Sequence, residues 1–203
     1  MWCPRVPCAS KGLPRGFPIS IPVGADFARE SRRAIACGRP ARYDGYIKRN
    51  RLGNEDTMKV SIASDHAGFE EKELLKPYIE SLGHEVCDRG PQSADRVDYP
   101  DFAKLVADDV ASGAADRGVL VCGTGIGMAI AANKVHGVRA ANVTTPDFAA
   151  LAREHNDANI VTLSGRFVTD EVNRAIVKTF FETEFGGGRH AGRVAKIMAL
   201  EEK

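Results

Sequence analysis

From residue 58 onward the chain alternates between two hydrophobic spacings. Lys59-Val60-Ser61-Ile62-Ala63-Ser64 has the content of a β-strand. The spacing then lengthens: Phe69, Leu74, Leu75, Tyr78, Ile79 and Leu82 predict a helix over 69–82, stopped by Gly83. A short strand follows at 84–88, and a helix at 101–111 after Tyr99-Pro100. Gly118-Val119-Leu120-Val121-Cys122 is an unbroken apolar run, as expected of a parallel strand buried on both faces. A glycine-rich turn opens a helix through Met128, Ile130, Ala131 and Ala132. The rest predicts a strand at 139–143, a helix at 146–154, a strand at 159–163, a helix at 169–183 and, after Gly186-Gly187-Gly188, a last helix at 194–201. Five strand–helix cycles predict a three-layer, Rossmann-like α/β domain over 58–203, with a five-stranded parallel sheet. In that architecture ligands bind beyond the carboxyl ends of the strands.

Residues 1–57 break the pattern. They hold six of the ten prolines and keep no apolar period of 2 or 3.6. They carry 11 Lys or Arg against 5 Asp or Glu, a net of +6, while residues 58–203 carry 17 against 22, a net of −5. The expectation is an irregular or disordered N-terminal arm, or a start codon placed upstream of a natural start at Met58. A transit peptide fits less well, because Asp26, Glu30 and Asp44 interrupt an otherwise acid-poor stretch. The acidic domain is a poor match for nucleic-acid phosphates. The chain has no run of about 18 apolar residues to span a membrane. None of the five cysteines shows zinc-ligand spacing, and Cys87 and Cys122 read as reduced thiols at strand ends, so a cytoplasmic location is expected.

Candidate chemistry gathers at or near the predicted ligand-binding rim. The segments are Ser64-Asp65-His66-Ala67-Gly68, Cys122-Gly123-Thr124-Gly125-Ile126-Gly127, Glu154-His155-Asn156-Asp157 and Ser164-Gly165-Arg166. Gly123, Gly125 and Gly127 let the backbone come close to a ligand and aim N–H groups at it. A helix opening there favours anions and favours thiolate over thiol at Cys122. Such a thiolate can take a proton from carbon while N–H groups stabilise the resulting oxyanion. Read alone, Cys122 is equally a small buried hydrophobe. Asp65 is equally a helix cap, and His155 a cation at a helix C-terminus. Arg189 and Arg193 share a face, as a phosphate clamp requires, if the turn at Arg189 runs into the last helix; a solvated helix face is the alternative.

The loop fails as a dinucleotide fingerprint. Met128 stands where GxGxxG needs glycine, the loop follows the third strand, and the acidic residue expected about 20 positions on is absent. No Walker A lysine is present. A small anion or a developing oxyanion suits the loop better.

Six ordered blocks carry a resemblance: Ser64-Asp65-His66-Ala67-Gly68, Asp98-Tyr99-Pro100, Cys122-Gly123-Thr124-Gly125-Ile126-Gly127, Ala131-Ala132-Asn133-Lys134, Glu154-His155-Asn156 and Gly188-Arg189-His190. Together they resemble ribose-5-phosphate isomerase type B, a family that includes the galactose-6-phosphate isomerase subunits. The likeness runs from Met58 to about Glu201 and leaves the first 57 residues without counterpart. It implies an aldose–ketose isomerase with no cofactor and no metal. It implies Cys122 as the base moving a proton between C1 and C2 through a cis-enediolate. Some members carry that base as a glutamate just after the glycine loop; here the place is Met128, which accepts no proton. Thr124 and the loop N–H groups of Gly123, Gly125 and Gly127 would stabilise the enediolate. His155 would assist furanose opening, with Asp65 orienting or sharing proton transfer. His66, Arg166, Arg189 and Arg193 would hold the phosphate, and Asn156 the sugar hydroxyls or enediolate oxygen. The resemblance also implies a homodimer, or a tetramer, with active sites shared between chains.

Two rivals stand beside this reading. A six-carbon sugar phosphate, such as allose 6-phosphate or galactose 6-phosphate, would undergo the same reaction in a longer pocket. A non-catalytic nucleotide- or sugar-phosphate-binding domain would use the glycine loop without needing Cys122.

Overall fold

A computed structural model describes residues 57–202. The arm expected over residues 1–57 lies, but for Thr57, outside the described residues. The strands are β1 (Lys59–Ser64), β2 (Glu85–Asp88), β3 (Arg117–Cys122), β4 (Ala140–Asn142) and β5 (Ile160–Ser164). The helices are α1 (Phe69–Ser81), α2 (Tyr99–Ser112), α3 (Ile126–Ala132), α4 (Pro146–Asn156), α5 (Asp170–Glu182) and α6 (Arg189–Met198), with a closing 3-10 turn at Ala199–Glu202. All strands are parallel, in the order β2-β1-β3-β5-β4.

The three central strands are buried on both faces. Val60, Ile62, Val119, Val121, Val161 and Leu163 meet Leu75 and Ile79 of α1, Ala149 of α4 and Ile176 and Phe180 of α5. Their alternates Ala63, Leu120, Cys122 and Ile160 meet Val106 and Val110 of α2 and Met128 and Ala132 of α3. Each large aliphatic side chain so buried contributes roughly 1.5–3 kcal/mol before chain entropy is charged against it. The edge strands β2 and β4 are only partly covered, in keeping with their shorter, less apolar sequences. Among the described residues no helix is long and apolar enough to cross a membrane.

Some local expectations shift. In α1, Leu74 is 46% exposed while Lys72 is fully buried. Lys72 turns inward because its ammonium has partners there: both Asp88 oxygens and the Pro91 carbonyl, each at 2.9 Å. Helix α2 begins at Tyr99, with Pro100 in the first turn, where its missing N–H costs nothing. The last helix begins five residues earlier than its apolar spacing predicts, at Arg189 directly after Gly188, because His190 and Val194 form its buried face.

The order places β1 beside β3, although the chain leaves β1 outward to β2 before returning. The carboxyl ends of β1 and β3 therefore open at a topological switch point, with β5 on the other side of β3. Ser64 pairs with Val121 and Cys122 with Ser164, so the three loops that follow begin level with one another.

Candidate active site

At that rim Cys122 ends β3 with its side chain buried. The loop after it turns sharply at Gly125, whose φ of +80° is a left-handed conformation that glycine adopts without strain. This turn brings the Gly125 N–H to 3.1 Å from the Cys122 sulfur. A Cβ at Gly125 would also press on the Leu163 carbonyl oxygen at 3.0 Å and Asn142 Oδ1 at 3.1 Å. Asn142, at the end of β4, donates to the Thr124 carbonyl at 3.3 Å, and Thr124 Oγ1 accepts from the Ile126 N–H at 3.3 Å. Met128 is fully buried in the same apolar cluster as Cys122.

Asp65 and His66 follow β1. Asp65 Oδ1 accepts from the N–H groups of Ala67 at 2.8 Å and Gly68 at 2.9 Å, closing the turn into α1. Asp65 thus shapes the turn ahead of α1 rather than capping the helix, whose N-cap is Gly68 without a side-chain bond, and its other oxygen is not engaged by those bonds. His66 is half-buried, and its Nδ1 has no hydrogen-bond partner among the described residues. Gly68 allows α1 to start against β3, since a Cβ there would meet the Val121 carbonyl at 2.6 Å. From the third loop, Arg166 is exposed and lays its side chain along Gly123, within 3.5 Å of where a Cβ would sit. Asp65, His66, Cys122, Gly123, Thr124, Gly125, Gly127 and Arg166 thus occupy one rim.

The remaining expected residues lie elsewhere, and this corrects the expectation that the Glu154-His155-Asn156 segment shares the rim. Helix α4 runs back along the sheet and ends at Asn156, just before β5 begins. His155 and Asn156 are therefore at the amino ends of the strands. β5 has five residues, which separates its two ends by roughly 13 Å. Helix α6 is tied to that same edge: Gly186 donates to the Glu154 carbonyl at 3.0 Å, and Arg139 Nη1 reaches Met198 at 3.3 Å. His155 and His190 stack with ring centroids 4.3 Å apart, and Arg189 Nε donates to His190 Nε2 at 3.3 Å. Burial first, then the positive charge of His155, Arg189 and Arg193, pushes the His190 imidazole below its ordinary range. Arg189 and Arg193 do share one helix, four residues apart. The second cluster is thus cationic and suited to an anion, but within one chain it does not face Cys122.

Similarity to known proteins adds to this geometry. The sequence profile of the family described as Ribose/Galactose Isomerase matches residues 60–197. The chain belongs to that family. A probable ribose-5-phosphate isomerase B of Mycoplasma genitalium is 46% identical over 149 residues, covering 72% of this chain and 98% of that protein. The ribose-5-phosphate isomerase B structure of Clostridium thermocellum superposes with a TM-score of 0.71 at 48% identity, covering 71% of this chain and 98% of that one. The Mycoplasma genitalium enzyme with bound ribulose-5-phosphate superposes with a TM-score of 0.69 at 47% identity, covering 71% and 97%.

Within this Ribose/Galactose Isomerase domain the structure gives roles to residues that the linear reading left without one. Ser164 Oγ donates to the Gly123 carbonyl at 2.8 Å and accepts from the Phe167 N–H at 3.0 Å, tying the loops after β3 and β5 together. The Tyr99 ring lies where a Cβ on Gly127 would be, 2.9 Å away, and so forms one wall beside the glycine loop. Tyr99 stands in a block quoted for the resemblance, but nothing in its spacing marked it as a neighbour of residue 127. Asn142 was hidden inside a predicted strand.

Proposed function

We propose that this isomerase interconverts ribose 5-phosphate and ribulose 5-phosphate, with Cys122 as the base that carries a proton between C1 and C2. The observation that carries the reading is the Cys122 sulfur held 3.1 Å from the Gly125 N–H at the switch point of the sheet. That backbone donor, with Thr124, would stabilise the negative oxygen of a cis-enediolate. Asp65 orients the sugar or shares proton transfer. His66 and Arg166 supply polar and positive groups to the phosphate at the rim. A relative of 47% identity crystallised with ribulose-5-phosphate supports the five-carbon substrate.

The second cluster reaches the reaction from another copy of the chain. In this reading His155 of one chain assists ring opening at the Cys122 rim of its partner, Asn156 holds sugar hydroxyls, and Arg189 and Arg193 grip the phosphate. Two features support a homodimer. A lone chain separates the two halves of the machinery by the length of the sheet. The helices before and after edge strand β4 also expose large apolar side chains: Ile126 and Ile130 of α3 at 56% and 58%, and Phe148 of α4 at 57%. Residues 58–203 form the isomerase domain, and 1–57 are an extension outside it.

The test is a coupled assay of the purified protein on ribose 5-phosphate and allose 6-phosphate in EDTA. Turnover of ribose 5-phosphate, undiminished by EDTA, is expected. A preference for allose 6-phosphate would move the assignment to the six-carbon substrate. Loss of activity restored by a divalent ion would overturn the metal-free mechanism.

A further inference from the structure

One buried polar pair beneath the rim takes no part in the reaction just described. Glu71, on α1, is 8% exposed, and Asn173, on α5, is fully buried. Both converge on the Ser164–Gly165 peptide at the end of β5. Asn173 Nδ2 donates to the Ser164 carbonyl at 3.1 Å, and Glu71 Cβ lies 3.6 Å from where a Cβ on Gly165 would be. The bond to a carbonyl fixes the Asn173 amide, since only its nitrogen can donate there. Its Oδ1 must therefore find a donor elsewhere. Asn173 Oδ1 and Glu71 Oε1 are both buried without a hydrogen-bond partner among the described residues. Both oxygens are acceptors, and while the carboxyl is ionised neither can supply the donor that the other lacks. One proton on the carboxyl resolves the conflict.

We propose that Glu71 is a positioning residue: it carries its carboxyl proton, donates it to Asn173 Oδ1, and so locks the Asn173–Ser164 bond that holds the rim. What that bond holds is specific. Ser164 Oγ bridges to the Gly123 carbonyl at 2.8 Å, and the Gly165 N–H donates to the Cys122 carbonyl at 2.9 Å. The Arg166 N–H also reaches Ser164 Oγ, at 3.4 Å. The turn after β5 is thus fastened to the catalytic loop on one side and carries Arg166 on the other. Burial raises the Glu71 carboxyl above the ordinary carboxylate range; Asp170 and Glu171 add to this, while the Asn173 side chain and Arg174 oppose it. The charged groups around it are Asp170, Glu171 and Arg174 of α5, Glu70 and Lys72 beside it in α1, and Arg166 in the turn. Lys72 is already committed to Asp88.

The role rests on the proposed isomerase reaction, but it can be read without it. Infrared spectra of the full chain, recorded as a pH titration, are expected to show a protonated carboxylic acid band that persists above the ordinary carboxylate range and vanishes in Glu71→Gln. Absence of a band removed by that substitution overturns the proposal, whatever the enzyme's activity. The second readout is KM for ribose 5-phosphate against pH. In the unaltered protein KM should climb as Glu71 ionises. Glu71→Gln, which donates at every pH, should remove that climb and keep KM within about twofold of the low-pH value, whereas Glu71→Ala should raise KM about tenfold throughout. Superimposable profiles for Glu71→Gln and the unaltered protein would show that the carboxyl proton does nothing for the site. An unaltered protein inactive on ribose 5-phosphate would refute the proposed function and leave the infrared result to decide the role of Glu71.

Discussion

The backbone N–H of Gly125 points at the sulfur of Cys122 from 3.1 Å, and the left-handed turn at Gly125 is what aims it there. Because the thiol side chain is buried and faces a fixed donor, its replacement should affect chemistry far more than binding. Cys122→Ala is expected to lower kcat by about 10²–10⁴-fold with KM changed little. Cys122→Ser keeps the size but holds its proton at neutral pH, and should be nearly as inactive. Steady-state kinetics on ribose 5-phosphate decide this; near-normal kcat in both variants would shift the base to Asp65 or His66.

Arg193 should behave in the opposite way. A guanidinium grips a phosphate in substrate and transition state alike, so its loss weakens both states together. Arg193→Ala is therefore expected to raise KM about tenfold or more while kcat falls less than about threefold. A kcat defect larger than the KM defect would place Arg193 in the chemical step.

The division of the machinery between two edges of the sheet predicts complementation. Cys122→Ala and His155→Ala proteins should each be weak alone. Unfolded together and refolded as a mixture, half of the dimers would pair one of each and contain one intact site. Activity should return to about a quarter of the unaltered level, as statistical pairing of a two-fold dimer requires. No recovery would mean that both residues serve the same chain's site.

The central sheet was legible in the chain because β1, β3 and β5 carry strand-forming apolar residues between turn signals, and their observed limits fall within one residue of the pattern. Lys72 shows the limit of that pattern. A periodic reading assigns it to solvent, because only the tertiary position of Asp88 and the Pro91 carbonyl makes an inward ammonium affordable. The candidate site was half legible. Glycine spacing after β3 marked the tight turn of the Cys122 loop, but sequence order alone could not say that the end of α4 lies at the amino ends of the strands. Parallel pairing decides that, and pairing is a long-range property. Asn142 and Asn173 carried no signal, and Ser164 stood in a rim segment without a role of its own, because each bonds backbone groups brought close only by the fold.

Lys72 also offers a stability test. Removing Lys72 leaves Asp88 with only Lys76 and the Gly90 N–H, so Lys72→Met is expected to destabilise the fold at neutral pH, by less than the roughly 3–5 kcal/mol of a fully broken buried pair. Burial alone would raise the Asp88 carboxyl, but Lys72, Lys76 and the Gly90 N–H outweigh it and hold it below its unfolded value of 3.8. A depressed carboxyl stabilises the fold above the unfolded value and loses that contribution as pH falls through the folded one. The gap between the two proteins should therefore narrow in acid. Urea melts at neutral and acidic pH measure it, and a pH-independent gap would show that Asp88 is not the group concerned.

A protein that begins at Met58 should match the full chain in turnover, since every candidate residue lies beyond that point. A loss of more than about tenfold, roughly 1.4 kcal/mol of barrier, would give the extension a part in the site.

The sheet ends in a three-residue strand on one side and a four-residue strand on the other. So few unpaired backbone groups make a poor template for adding further strands. Ile126 and Ile130 of α3 and Phe148 of α4 are exposed beside β4, and in the proposed dimer a contact there would use side chains and close on itself about a two-fold axis. Self-association through these helices would stop at a finite number of chains, whereas pairing of sheet edges would propagate into open-ended, fibre-like polymers.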